Sequence, residues 1–80
     1  MIKDINLLGS TGSVGTTTLK IINKDKGNFK IKLLTTNKNV NKIYKQAIEY
    51  NVNKIVIFDK SISKKNLEKF KKKNKSIFIN

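Results

Sequence analysis

Two kinds of hydrophobic pattern alternate along the whole chain. Short apolar runs occupy Ile5–Leu8, Phe29–Leu34, Ile55–Phe58 and Ser76–Ile79, each of strand length and rich in Ile, Leu, Val or Phe. Between them, apolar residues recur at helical spacing. Ser13 to about Lys24 carries Val14, Leu19, Ile21 and Ile22, the stretch after Asn39 carries Val40, Ile43, Tyr44, Ala47 and Ile48, and the stretch after Ser63 carries Leu67 and Phe70. Asn39 and Ser63 stand where an N-cap belongs, and Lys26-Gly27-Asn28 and Asn51 where helices stop. Thr16-Thr17-Thr18 is poor helix-forming sequence, so packing has to hold that turn. Phe29-Lys30-Ile31-Lys32-Leu33 alternates at period two, with Leu34 extending its apolar character. Ile55-Val56-Ile57-Phe58 is continuous, as in a strand covered on both faces. The order β-α-β-α-β-α-β predicts an α/β chain with a parallel sheet. No repeat, linker or internal boundary interrupts it, so residues 1–80 read as one unit.

The junction of the first strand and first helix carries the candidate chemistry. Gly9-Ser10-Thr11-Gly12-Ser13-Val14-Gly15 follows Leu8 directly. A strand that ends in spaced glycines and then opens a helix makes a phosphate cradle. Gly9 permits the tight turn, Gly12 lets backbone approach a pyrophosphate, and Gly15 lets the helix pack closely on the sheet. The free N–H groups at the helix start, with its dipole behind them, face the anion. Ser10, Thr11 and Ser13 add hydroxyls that can donate to phosphate oxygens. The spacing G-x-x-G-x-x-G departs from the commoner G-x-G-x-x-G, so position rather than pattern carries the reading. The competing reading is a bare βα turn.

The end of the second strand bears on which dinucleotide fits. A site that prefers NAD places a carboxylate there, about twenty residues past the glycines, to accept from the ribose hydroxyls. This chain has Thr35-Thr36-Asn37-Lys38-Asn39 instead. No acid repels a 2′-phosphate, Lys38 supplies a cation, and Asn37 and Asn39 supply amide donors. That is the chemistry of NADP(H) selection. Against it stands the abundance of lysine, which makes Lys38 unremarkable by itself. Asp59 follows the third strand as a lone loop carboxylate, and Asp4, Asp25, Glu49 and Glu68 are scattered. No acid–base pair and no metal-ligand cluster is expected.

The formal charge of +13 raises the question of nucleic acid. All 18 cations are lysines, however, and Arg is the residue that forks onto guanine edges and phosphates. Lys, Asn and Ile share A/T-rich codons, so biased composition explains the charge without a specific nucleic-acid partner. The chain lacks Cys, which excludes disulfides and thiolate chemistry, and lacks His. No apolar run approaches spanning length and no secretory signal opens the chain, so a cytoplasmic location away from any membrane is expected. Eighty residues carry at most one small domain, and a final strand with nothing after it suggests a fragment.

Leu8-Gly9-Ser10-Thr11-Gly12-Ser13-Val14-Gly15, Thr18-Leu19 and Asn37-Lys38-Asn39-Val40 resemble the N-terminus of the 1-deoxy-D-xylulose 5-phosphate reductoisomerases. The resemblance covers essentially the whole chain. One departure is Asn37, where the family often has Gly; a side chain there narrows the adenosine pocket. The resemblance implies a Rossmann-like doubly wound parallel sheet, here an incomplete domain, with the catalytic and C-terminal domains absent. It implies an NADPH-dependent oxidoreductase of the non-mevalonate isoprenoid pathway. Such an enzyme converts a sugar phosphate to 2-C-methyl-D-erythritol 4-phosphate with a divalent metal, Mg or Mn, and works as a homodimer. Thr11, Gly12, Ser13 and Val14 would hold the pyrophosphate, and Asn37, Lys38 and Asn39 the 2′-phosphate end. The family's catalytic and metal-binding residues have no counterpart here, so the chain alone should be inactive. Two other classes compete. A semialdehyde or acyl-phosphate reductase usually has Ala or Gly-Ala near Ser10. A basic nucleic-acid-binding module needs aromatics on a shared basic face, whereas Phe29, Phe58, Phe70 and Phe78 fall in or beside predicted core elements.

Overall fold

The computed structural model describes residues 2–79. Seven elements alternate: β1 (Lys3–Leu7), α1 (Ser13–Asn23), β2 (Phe29–Thr36), α2 (Val40–Glu49), β3 (Lys54–Ile57), α3 (Lys64–Lys72) and β4 (Ser76–Ile79). The strands form one parallel sheet in the order β1-β2-β3-β4. Crossovers between parallel strands are right-handed, so three that step in one direction put their helices on one face. The register agrees. Leu7, Leu34, Ile55 and Ile77 align across the sheet, as do Thr36, Ile57 and Ile79. These rows meet Leu19 of α1, Ile43 and Ala47 of α2 and Phe70 of α3 in a single core.

The opposite face carries Asn6, Leu33, Lys54 and Ser76 in one row and Thr35, Val56 and Phe78 in the next. No described helix covers it, and Phe78 is 55% exposed. The expectation that β3 is covered on both faces is therefore corrected: Ile55 and Ile57 are buried, Val56 only partly. This sheet is one wing of a Rossmann-like fold. Among the described residues the outer edge of β1, where a second wing would pair, has no neighbour.

Several boundaries differ from the apolar pattern for local reasons. Leu8 is 72% exposed and lies past β1, because the chain turns at Gly9. Phe58 lies past β3, its N–H donating to the Thr36 carbonyl at 2.9 Å while its side chain is 45% exposed. In β2 the period-two reading fails at Lys32. Ile5 pairs with Ile31 but Asn6 pairs with Leu33, so Lys32 is an extra residue. That bulge is why Ile31 and Leu34 both face the helices and Leu33 turns away. The strand then runs on through Thr35 and Thr36, both buried.

In α1 the core stripe is Gly15, Leu19 and Ile22, spaced four and three residues apart. Val14 and Ile21 lie one residue off it and are 81% and 64% exposed, against expectation. Ile48 of α2 is displaced outward in the same way. The threonine run is accommodated by back-bonding: Thr17 Oγ1 donates to Ser13 O at 3.0 Å and Thr18 Oγ1 to Val14 O at 2.8 Å.

Candidate phosphate-binding site

The glycines of the β1–α1 loop have three different reasons to lack a side chain. Gly9 has φ of +69°, the left-handed region, with open space where a Cβ would stand. Gly15 is constrained by space: a Cβ there would fall on the Gly9 carbonyl oxygen and 2.7 Å from Ser10 Cα. Gly12 is neither. Its φ of −74° and ψ of 173° suit any residue. A Cβ on it would meet only Gly9 O, at an ordinary 3.6 Å. The fold does not require glycine at 12, which leaves the space above it for something outside the chain.

Donors converge on that space. Gly12 is the N-cap of α1 and offers no side chain to the first turn. The other two helices are capped, α2 by Asn39 Oδ1 accepting from Lys42 N at 3.4 Å and α3 by Ser63 Oγ accepting from Asn66 N at 3.2 Å. The first N–H groups of α1 stay open to an anion, with no acid in that turn to repel it. The Thr11 N–H likewise has no partner among the described residues.

The loop hangs from β2 and α2. Gly9 N donates to Thr35 Oγ1 at 2.8 Å, Ser10 N to Thr35 O at 2.9 Å, and the hydroxyls of Thr11 and Thr36 share a hydrogen bond of 2.7 Å. Ser10 is fully buried. Its Oγ donates to Gln46 Oε1 and its carbonyl accepts from Gln46 Nε2, both at 2.8 Å. The expectation that Ser10 offers its hydroxyl to a phosphate is corrected: that hydroxyl is turned into the core and already used.

A cleft of about 400 Å³ joins the two regions singled out in the sequence. Gly9, Thr11 and Gly12 line one side and Asn37, Lys38 and Asn39 the other, with Thr35 and Thr36 beneath. Ser13 and Val14 are exposed at the start of α1, and Ser10 and Gly15 are buried below the loop. Asn39 is partly committed, since its Oδ1 caps α2. Asp59 is engaged locally. Its Oδ1 accepts from Ser61 Oγ at 2.6 Å and Ser61 N at 3.0 Å, and these bonds, with a smaller pull from Lys38, hold its carboxyl below the usual carboxylate range.

Sequence reading missed Thr35, Thr36 and Gln46 as supports of the loop. The signal was present in each case. Two threonines continue an apolar strand toward its carboxyl end, and Gln46 interrupts the buried stripe of α2 between Ile43 and Ala47. A polar residue at a core position needs a partner.

Residues 5–79 match the family model described as 1-deoxy-D-xylulose 5-phosphate reductoisomerase. The chain belongs to that family. The reductoisomerase of Pelagibacter ubique is 51% identical over 57 residues, covering 71% of this chain and 15% of that protein. Among solved structures, the reductoisomerase from Zymomonas mobilis in complex with NADPH superposes with a TM-score of 0.89 at 26% identity, covering 100% of this chain and 21% of that one. A reductoisomerase in complex with NADPH, fosmidomycin and magnesium superposes with a TM-score of 0.77 at 27% identity, covering 99% of this chain and 20% of that one. The chain thus spans about one fifth of the solved reductoisomerases that it matches. Among the described residues no three acids gather as metal ligands. No described helix is long and apolar enough to cross a membrane.

Proposed function

We propose that these 80 residues are the NADPH-binding N-terminal part of a 1-deoxy-D-xylulose 5-phosphate reductoisomerase. One observation carries the reading: Gly12, a glycine the fold does not need, lines one cleft with Asn37–Asn39 and with Thr11, whose N–H has no partner among the described residues. The N–H groups of Thr11 and the first turn of α1 bind the pyrophosphate, and Lys38 with the amides of Asn37 and Asn39 binds the 2′-phosphate. NADPH fits this cradle, and when bound it supplies the hydride. The chain's own residues bind and orient it.

The rest of the reaction lies outside this chain. The full-length enzyme would take 1-deoxy-D-xylulose 5-phosphate to 2-C-methyl-D-erythritol 4-phosphate as a cytoplasmic homodimer, with a divalent metal held by residues other than those described here. These residues alone should turn over no substrate, since the described ones gather no metal-ligand set. Titrating NADPH and NADH against the chain, followed by nicotinamide fluorescence, tests the binding half. Tighter binding of NADPH is expected, and equal affinities would remove the 2′-phosphate site. Metal- and NADPH-dependent turnover by the purified chain would refute the division of labour.

A further inference from the structure

We propose that Gln46 is a positioning residue for the phosphate loop, aiming the Thr11 N–H into the cleft and locking the loop to the helix that follows Asn37–Asn39. The proposal rests on the cofactor reading above and adds a residue outside the cleft lining.

Gln46 lies in the second turn of α2, 6% exposed, on the stripe between Ile43 and Ala47. Its two amide atoms make reciprocal bonds to one residue, Ser10, through the hydroxyl and the carbonyl. A buried hydroxyl needs only one partner, so the second bond, Nε2 to the Ser10 carbonyl at 2.8 Å, is the informative one. A trans peptide is planar, with C=O and N–H pointing in opposite directions. Holding the Ser10 carbonyl inward therefore turns the next N–H, that of Thr11, outward. That N–H is unpaired among the described residues and belongs to a cleft-lining residue. Among the described residues one other hydrogen bond reaches the Ser10 carbonyl, from Thr16 Oγ1, long at 3.4 Å and from α1 itself. Thr35 fixes the N–H groups of Gly9 and Ser10 but, among the described residues, bonds neither the Ser10 carbonyl nor the Thr11 N–H.

The same contact joins the two halves of the site. Asn37–Asn39 connect the end of β2 to the start of α2. The loop is tied to β2 through Thr35 and Thr36 and to α2 through Gln46, so the segment between is held from both ends against the glycines. A dinucleotide phosphate that spans both must find them at a set separation.

The test compares Gln46→Met, which keeps the volume and loses both bonds, with Ile43→Val, which loosens the same helix without touching the loop. NADP⁺ binding is followed by titration calorimetry, and the Thr11 amide by ¹⁵N–¹H spectra and hydrogen exchange. Gln46→Met is expected to weaken NADP⁺ at least tenfold and to shift the Thr11 amide. Ile43→Val should leave both within twofold of the parent despite its lowered melting temperature. Equal affinities in the two variants would reduce Gln46 to a packing residue and overturn the proposal. If the parent chain binds no NADP⁺, the cofactor reading fails, and the amide signal still decides the positioning: an unmoved Thr11 resonance in Gln46→Met overturns it. Should Gln46→Met not fold, Gln46→Asn, whose amide is drawn back by one methylene, is read against the same criteria.

Discussion

Gly12 shows how a single residue separates a structural requirement from a functional one. Because its backbone dihedrals and the space at its Cβ admit a side chain, Gly12→Val should keep the fold, at a cost of about 0.5–2 kcal/mol for an apolar residue at an N-cap. It should abolish NADPH binding, since the isopropyl group fills the space above the loop. Circular dichroism and a cofactor titration check the two halves, and unchanged binding would undo the cradle. Gly15→Ala should behave oppositely, losing stability because the methyl collides with the backbone of Gly9 and Ser10. Lys38→Glu places a carboxylate where the 2′-phosphate is proposed to sit. NADPH should weaken by about 1–3 kcal/mol and NADH hardly at all, as measured by parallel fluorescence titrations. A parallel loss for both nucleotides would move Lys38 out of the 2′ subsite. Lys75 reports on burial instead. It is 8% exposed, with its Nζ donating to Asn53 Oδ1 at 3.2 Å, and desolvation holds its pKa below the ordinary 10.5. Below the folded pKa the charge must be buried, which costs stability, and that cost fades as pH rises toward 10.5. Lys75→Met should therefore melt higher than the parent at neutral pH, with the gap narrowing at alkaline pH.

At the scale of elements, two helices end on a left-handed asparagine. Asn51 and Asn74 have φ of 53° and 57°, and the N–H groups that follow them reach back, Val52 to Ala47 O at 2.9 Å and Lys75 to Phe70 O at 3.0 Å. Both are left-handed terminations that reverse the chain into the next strand. Asparagine tolerates this conformation better than other non-glycine residues, and a β-branched one does not. Asn51→Val should destabilise by about 1–2 kcal/mol and Asn51→Gly should not, as read by denaturant melts. Of the stop signals in the sequence, Asn51 was legible for this reason. Gly27 was not informative: its φ is not positive, no neighbour crowds it, and α1 has already ended at Asn23. Nothing in the structure requires glycine there.

For the whole molecule, the one-sided sheet and the charge set the stability. The core is the cluster between three helices and one face of the sheet, while Leu33, Val56 and Phe78 lie on the other face. A net charge of +13 on 80 residues adds self-repulsion that salt screens within a Debye length. The melting temperature should accordingly rise with ionic strength from about 10 mM to 0.5 M salt, a range in which screening changes strongly. A flat or falling profile would show that the lysines are not in net conflict.

Local chemistry sufficed for the alternation of elements, the N-caps at Asn39 and Ser63, and the turn at Gly9, because these depend on residues within a few positions of one another. The two candidate loops were legible for the same reason: glycines and missing acids are visible in a linear string. What only the tertiary structure decided depends on residues far apart in sequence. The bulge at Lys32 follows from pairing with β1, the exposure of Val14 and Ile21 from how α1 rolls onto the sheet, and the bare second face from strand order. The support of the loop is of that kind too. Ser10 and Gln46 are 36 residues apart, and nothing short of the packed fold shows that the buried hydroxyl belongs to the helix amide rather than to a phosphate.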